Sequence, residues 1–114
     1  MDIKKNYSLS KLNSFKVDHK AKMFAEIKTS QDLFQALKNE KLKKEKKIIL
    51  GGGSNTLFTK NFNGLILFNN IKGIKIIEEN KNEIKIKVGS GEIWDDFVSF
   101  CVNKNWRKAW ATVY

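Results

Sequence analysis

The segment KKIILGGGSNTLF, residues 46–58, decides how the fold is interpreted. Its short apolar run, residues 48–50, predicts a buried strand that ends abruptly at three consecutive glycines, residues 51–53. Each glycine costs roughly 0.5–1 kcal/mol of extra folding entropy relative to alanine. Three glycines exceed the needs of an ordinary turn, so the segment is either a tight turn or a loop whose backbone approaches a ligand.

The residues around the glycines restrict the kind of ligand loop this could be. Successive glycine N–H groups can converge on an anion, and Ser54 and Asn55 can add side-chain donors. A P-loop is excluded because no lysine follows the glycines until Lys60. A Rossmann loop is excluded because residues 56–58 lead towards another strand and not into a helix. The residues alone leave the plain turn and the anion-binding loop both open.

The composition limits the class of protein. A chain of 114 residues with 41% hydrophobic content is one modest domain with a packed core. One cysteine, Cys101, and one histidine, His19, exclude a disulfide framework and a Cys- or His-rich metal site. The sequence has no apolar run of membrane-spanning length and no apolar signal-peptide core, so we expect a cytoplasmic protein without a membrane partner.

The positive charge has a simple explanation. The formal net charge is +10, yet Arg107 is the only arginine, and arginine is the residue that reads phosphates and bases in bidentate fashion. Abundant Lys, Asn and Ile without any Pro are typical of an AT-rich coding sequence. We therefore interpret the lysines as a solvated coat and predict no nucleic-acid partner. A steep salt dependence of DNA or RNA binding would contradict this.

The hydrophobic pattern predicts an α+β fold. The predicted elements in chain order are an irregular lead-in over 1–15, a strand over 22–29, an amphipathic helix over 30–40 with Thr29 or Ser30 as its N-cap, a strand over 47–50, a turn at Asn63-Gly64, a strand over 65–69, a hairpin of strands within 71–79 and 82–91, and a helix from Glu92. The strand-helix-strand start favours a small parallel or mixed sheet packed by the first helix, and the hairpin starts an antiparallel sheet.

The second helix carries an apolar stripe, and its start contains a second pair of glycines. We predict that Trp94 and Phe97 lie in the core and that Asp95 and Asp96 interact with the helix dipole. The pair Gly89 and Gly91 is interpreted as a strand-to-helix turn with Ser90 near the helix start, in preference to a border of a cofactor site.

Four segments of the sequence resemble one known family. They are LNSFKVDHKA (12–21), ILGGGSNTLF (49–58), FNGLILFNNIKGI (62–74) and VGSGEIWDDFV (88–98). In this order and spacing they resemble the N-terminal part of the UDP-N-acetylenolpyruvoylglucosamine reductase (MurB) family, over residues 12–106. Two departures are mild: Ser14 replaces the usual threonine, and Gly52 replaces a larger residue of some members.

The resemblance implies a fold, a cofactor and a reaction. The fold would be the N-terminal portion of a vanillyl-alcohol-oxidase-type (PCMH-like) FAD-binding domain. Residues 1–70 would form its first subdomain, 71–106 the start of the second, and 107–114 a non-family tail. Residues Gly51, Gly52, Gly53, Ser54, Asn55 and Thr56 would lie against the FAD pyrophosphate. Family members transfer hydride from NADPH through FAD to the enolpyruvyl group of a UDP-sugar, giving UDP-N-acetylmuramate for peptidoglycan synthesis.

The resemblance stops after Trp106, where the tail RKAWATVY begins. The family's catalytic serine and its substrate-side arginine and glutamate lie beyond this point, so no catalytic residue is assigned, and His19 is expected to be structural. We expect a truncated, FAD-binding fragment that is inactive as this chain, with unpaired edges on its hairpin and an uncovered apolar face. The alternative is a stand-alone nucleotide- or anion-binding module without catalysis.

Overall fold

The computed structural model describes residues 2–10, 18–51, 59–104 and 109–113, the last of these as backbone only. The chain divides into two compact units, Met1–Asn70 and Ile71–Tyr114. The first contains β1 (Ile3–Ser8), β2 (Lys20–Ile27), α1 (Ser30–Lys38), β3 (Lys47–Gly51) and β4 (Phe62–Asn69). The second contains β5 (Ile74–Glu79), β6 (Ile84–Val88), α2 (Trp94–Asn103) and β7 (Ala109–Val113). The predicted α+β class is confirmed.

The first unit is built on a mixed four-stranded sheet, as predicted. The strand order is β1-β2-β4-β3, in which β2 and β3 each run parallel to β4 and β1 runs antiparallel to β2. Ile27 of β2 and Gly51 of β3 are both in register with Asn69 of β4. The carboxyl ends of three parallel strands therefore meet at one edge of the sheet, which we call the carboxyl edge.

The core of the first unit lies on the two central strands. Phe24 of β2 is in register with Ile66 of β4, and both are buried together with Leu9 and Leu50. Burying one such side chain contributes about 1.5–3 kcal/mol relative to leaving it exposed. This cluster fixes the strands that lead to the carboxyl edge.

Helix α1 begins where the sequence predicts. Thr29 is the N-cap, and its hydroxyl accepts a hydrogen bond from the backbone N–H of Asp32 at 3.1 Å. The Asp32 carboxylate accepts from the Thr29 backbone N–H at 3.2 Å, which completes a capping box. The apolar stripe is only partly used, because Ala36 is buried while Phe34 is 62% exposed.

The predicted irregular lead-in is wrong, because residues 3–8 form the edge strand β1. Its apolar positions are too isolated to predict a strand, but β2 supplies the partner through antiparallel pairing from Ile3↔Ala25 to Ser8↔Lys20. The lysines on β1 suit an edge strand, since charged edge positions discourage pairing with other chains. This pairing between distant parts of the chain is invisible to local patterns.

The predicted turn at Asn63-Gly64 is also wrong, because both residues lie inside β4. Glycine is required at position 64 for a different reason. A Cβ there would lie 2.5 Å from the Lys46 carbonyl oxygen and 2.9 Å from the Phe62 ring. The same carbonyl accepts a hydrogen bond from the Leu65 backbone N–H at 2.7 Å. Gly64 thus permits a close approach of two backbones.

The second unit contains the predicted hairpin and one strand that was not predicted. β5 and β6 are antiparallel, and the Asn80 side chain accepts from the N–H groups of Asn82 and Glu83, each at 2.9 Å, to close the turn. The non-family tail contributes β7, which pairs in parallel with β6. The expectation of unpaired hairpin edges therefore holds for β5 but not for β6, which has a partner on both sides.

Helix α2 differs from its prediction at its start. It begins at Trp94, its N-cap is Ile93, and no side chain caps it, so Ser90 is not the cap. Phe97 is buried as predicted, whereas Trp94 is 69% exposed and is not a core residue. The apolar stripe alone could not distinguish the two, because both lie on the same face of the helix.

Candidate functional site

The glycine segment leaves the sheet at the carboxyl edge. Gly51 is the last residue of β3, next to the end of β4, and it is exposed. In open α/β sheets, ligands bind in the crevice outside the carboxyl ends of the strands. The rest of the predicted cofactor site, Gly52 to Thr56, lies outside the described residues, so this site stays a prediction that Gly51 alone places on the fold.

The described structure gives no steric reason for glycine at position 51. A Cβ at Gly51 would meet no atom within 4 Å among the described residues. Gly51 is also absent from the residues with positive φ, among which Gly73 has a φ of 128°. Because neither crowding nor backbone conformation in the described part of the chain demands glycine here, the space beside the Gly51 Cα is open at the carboxyl edge.

Polar side chains at the same edge are held in place. The Asn70 backbone N–H donates to the Ile27 carbonyl at 2.8 Å, and its side-chain Nδ2 donates to Glu26 Oε1 at 2.6 Å. These contacts fix the chain where it leaves β4. The sequence did not predict the pairing of Glu26 with Asn70, because the two residues are 44 positions apart and meet only after β2 and β4 pair.

The second pair of glycines has a structural role. Gly89 N–H donates to the Gly73 carbonyl at 2.8 Å, and Gly91 N–H donates to the Ile71 carbonyl at 2.8 Å. A Cβ at Gly89 would collide with the Ile71 carbonyl oxygen and lie 2.8 Å from the Lys72 carbonyl carbon. The interpretation of this pair as a strand-to-helix turn agrees with this arrangement, which we call the glycine crossing.

The residues with chemical potential outside the glycine segment are not assembled into a catalytic centre. Cys101 is half-buried, and burial raises the pKa of its thiol, which disfavours the reactive thiolate. Asp95 and Asp96 lie exposed in the first turn of α2, as expected for partners of the helix dipole. In residues 2–10, 18–51 and 59–104, no three His, Cys, Asp or Glu side chains come together as metal ligands.

His19 has a backbone contact that fits its expected structural role. Its carbonyl accepts a hydrogen bond from the Leu9 N–H at 2.8 Å, at the base of the β1–β2 pair. Across the part of the chain that the structure describes, neither helix has the length and apolar content needed to cross a membrane.

Comparison with known proteins finds similarity over most of this chain. A UDP-N-acetylenolpyruvoylglucosamine reductase of Flavobacterium johnsoniae is 39% identical over 105 residues, covering 92% of this chain and 31% of the relative. The protein of the same name from Bacteroides fragilis is 38% identical over 104 residues, covering 91% and 31%. That of Buchnera aphidicola subsp. Schizaphis graminum is 44% identical over 98 residues, covering 85% and 28%. No family model matches. The chain spans about 30% of the length of these curated relatives.

Proposed function

Because the chain belongs to the family of the UDP-N-acetylenolpyruvoylglucosamine reductases, we propose that it is a part of such a reductase that holds FAD. Residues Gly51 to Thr56 lie against the FAD pyrophosphate in this proposal. The two compact units belong to one FAD-binding domain of the vanillyl-alcohol-oxidase (PCMH-like) type. The protein acts in the cytoplasm, in the synthesis of peptidoglycan.

The observation that carries the proposal is the open space beside Gly51. The glycine segment starts at the carboxyl edge, where sheets of this kind receive ligands. The described residues leave room there that a side chain could fill. The presence of glycine in that room is accounted for if a cofactor approaches the backbone, so the residues present fit a bound dinucleotide.

The chain's own residues supply the binding chemistry. Backbone N–H groups of the glycine segment, with the Ser54 hydroxyl and the Asn55 amide, donate to the oxygens of the diphosphate. The net charge of +10 draws an anionic ligand towards the chain from any direction. When bound, FAD supplies the ring that accepts hydride from NADPH and reduces the enolpyruvyl group. Since the chain matches about 31% of its relatives' length, we assign it cofactor binding and no catalytic residue.

Titration of the whole chain with FAD, followed by flavin fluorescence, tests the proposal. We expect saturable binding that Ser54→Ala or Asn55→Ala weakens about tenfold, because a hydrogen bond to a charged group is worth about 1.5–3 kcal/mol. Asn63→Ala is the matched control, since Asn63 is an exposed asparagine on β4. ADP should compete with FAD, and FMN, which lacks the diphosphate bridge, should bind more weakly.

Two results would contradict the proposal. FAD binding that neither Ser54→Ala nor Asn55→Ala changes would show that the glycine segment is not the diphosphate site. FAD binding that disappears at high salt, with inorganic pyrophosphate competing as well as ADP, would show attraction of anions to the lysines alone. Equal affinity for FAD and ADP, with both weakened by the two variants, would favour the nucleotide-binding module without flavin chemistry.

A further inference from the structure

A cleft of about 490 Å³ opens in the first unit close to the carboxyl edge. Its floor is a row of three aromatic rings from adjacent strands, Tyr7 of β1, Phe24 of β2 and Phe68 of β4. The Tyr7 and Phe24 rings stack with centroids 4.1 Å apart, and the Phe24 and Phe68 centroids are 6.1 Å apart. Phe24 is buried, whereas Tyr7 and Phe68 are half-buried and present ring surface to the cleft.

The walls of the cleft have a charge balance unlike that of the chain. They carry three carboxylates and two ammonium groups, from Asp2, Glu26, Asp32, Lys4 and Lys28. The chain as a whole has 22 basic and 12 acidic side chains. An excess of carboxylates disfavours a phosphate-bearing ligand, so the cleft suits a neutral ligand with a flat apolar face and hydrogen-bond donors.

Glu26 is the acceptor best placed to recognise such donors. Asn70 Nδ2 donates to its Oε1 at 2.6 Å, which holds the carboxylate in position. Its Oε2 lies 3.9 Å from the Lys28 ammonium, a long ion pair between side chains that are 40% and 69% exposed. A carboxylate offers about four acceptor positions on its two oxygens. Glu26 therefore keeps acceptor capacity at the rim of the aromatic floor.

We propose that this cleft binds a nucleoside, with the base packed on the row of rings and the ribose hydroxyls donating to Glu26. Bases of every kind stack on aromatic side chains, and a carboxylate that accepts from ribose hydroxyls recurs in nucleotide sites. The volume lies within the range of about 300–1,000 Å³ that small-molecule pockets occupy. The Lys4 ammonium, 5.2 Å from the Tyr7 ring centre, moves aside as the base enters. None of residues 51–56 lines the cleft, so this site is separate from the proposed FAD loop.

Titration of the whole ¹⁵N-labelled chain with adenosine, followed by amide chemical shifts, tests the proposal. We expect saturable shifts at residues 24–28 and 68, with affinity lowered about tenfold in Glu26→Gln and in Phe68→Leu. Phe34→Leu is the matched control, because Phe34 is an exposed ring on α1 with the Lys38 ammonium 5.0 Å from its centre and lies outside the cleft. It should leave the affinity unchanged.

Further arms decide where adenosine is held. Ser54→Ala should not change adenosine affinity, whatever it does to FAD; loss of adenosine binding in Ser54→Ala with no effect of Glu26→Gln would overturn the proposal. AMP that binds where adenosine does not would also overturn it, since the ligand would then be a phosphate held by lysines. Glu26→Gln preserves the shape of the side chain, so it decides the outcome even if Phe68→Leu fails to fold.

Discussion

Gly51 and Gly89 stand at the ends of two strands, β3 and β6, and differ in what surrounds them. At Gly89 the backbones of Ile71 and Lys72 occupy the place where a side chain would begin. At Gly51 that place is empty of described atoms. The first glycine is explained by packing within the fold, and the second is not. The comparison teaches that a glycine in a sequence signals close approach but does not identify what approaches.

The largest expected effect comes from Gly89→Ala. The added Cβ collides with backbone atoms that cannot rotate away, so we expect a loss of about 3 kcal/mol in the free energy of unfolding of the second unit. Urea unfolding followed by tryptophan fluorescence measures it, because all three tryptophans, Trp94, Trp106 and Trp110, belong to that unit. A loss below about 0.5 kcal/mol would remove the packing explanation for this glycine.

Gly64→Ala should have the next largest effect, about 2 kcal/mol, on the first unit. The Phe62 ring can shift to make room, but the Lys46 carbonyl oxygen is held by its hydrogen bond from the Leu65 N–H. Hydrogen exchange at the amides of β3 and β4 measures the change where it occurs. Unchanged protection at Leu65 would show that the two backbones separate without cost.

Thr29→Ala gives an intermediate reference that involves no close approach of backbones. Loss of the hydroxyl leaves the Asp32 N–H without its capping acceptor, at an expected cost of about 1 kcal/mol. Urea unfolding followed by far-UV circular dichroism, which detects both units, measures it. Thr29→Ser should recover most of the loss, and failure to recover would mean that the methyl group matters more than the cap.

Gly51→Ala should have the smallest effect on stability, below about 0.5 kcal/mol, because its Cβ meets no described atom. The same urea experiment measures it. If FAD approaches this backbone, the variant should nevertheless bind FAD less tightly than the unchanged chain. A destabilisation as large as that of Gly89→Ala would erase the contrast between the two glycines and assign both to packing.

Local patterns predicted the elements whose causes are local. The capping box at Thr29 and the hairpin around Asn80 depend on residues at most three positions apart, and both were found. Strand β1, the close approach at Gly64 and the strand β7 depend on partners far along the chain. Their signals are weak in the sequence because pairing, and not side-chain pattern, creates them.

The candidate site follows the same division. The strand that delivers Gly51 was predicted from its apolar run, and the structure adds the register that brings it beside Asn69. The cleft over Tyr7, Phe24 and Phe68 was not predicted, because its rings come from three strands and its acceptor Glu26 is held by a residue of a fourth position in the chain, Asn70. Alternation marks these rings as core residues and cannot indicate that a cleft opens above them.

The position of β4 has a consequence for how the chain acquires its structure during synthesis. β4 lies between β2 and β3, both of which precede it in sequence. β3 therefore has no partner strand in this sheet until residues 62–69 have been made and have entered between two earlier strands. Such non-local pairing folds slowly, and unpaired strand edges in the meantime favour aggregation. The segment that starts at Gly51 is anchored at both ends only by this last insertion, so a ligand of the carboxyl edge meets a finished site only after the first unit is complete.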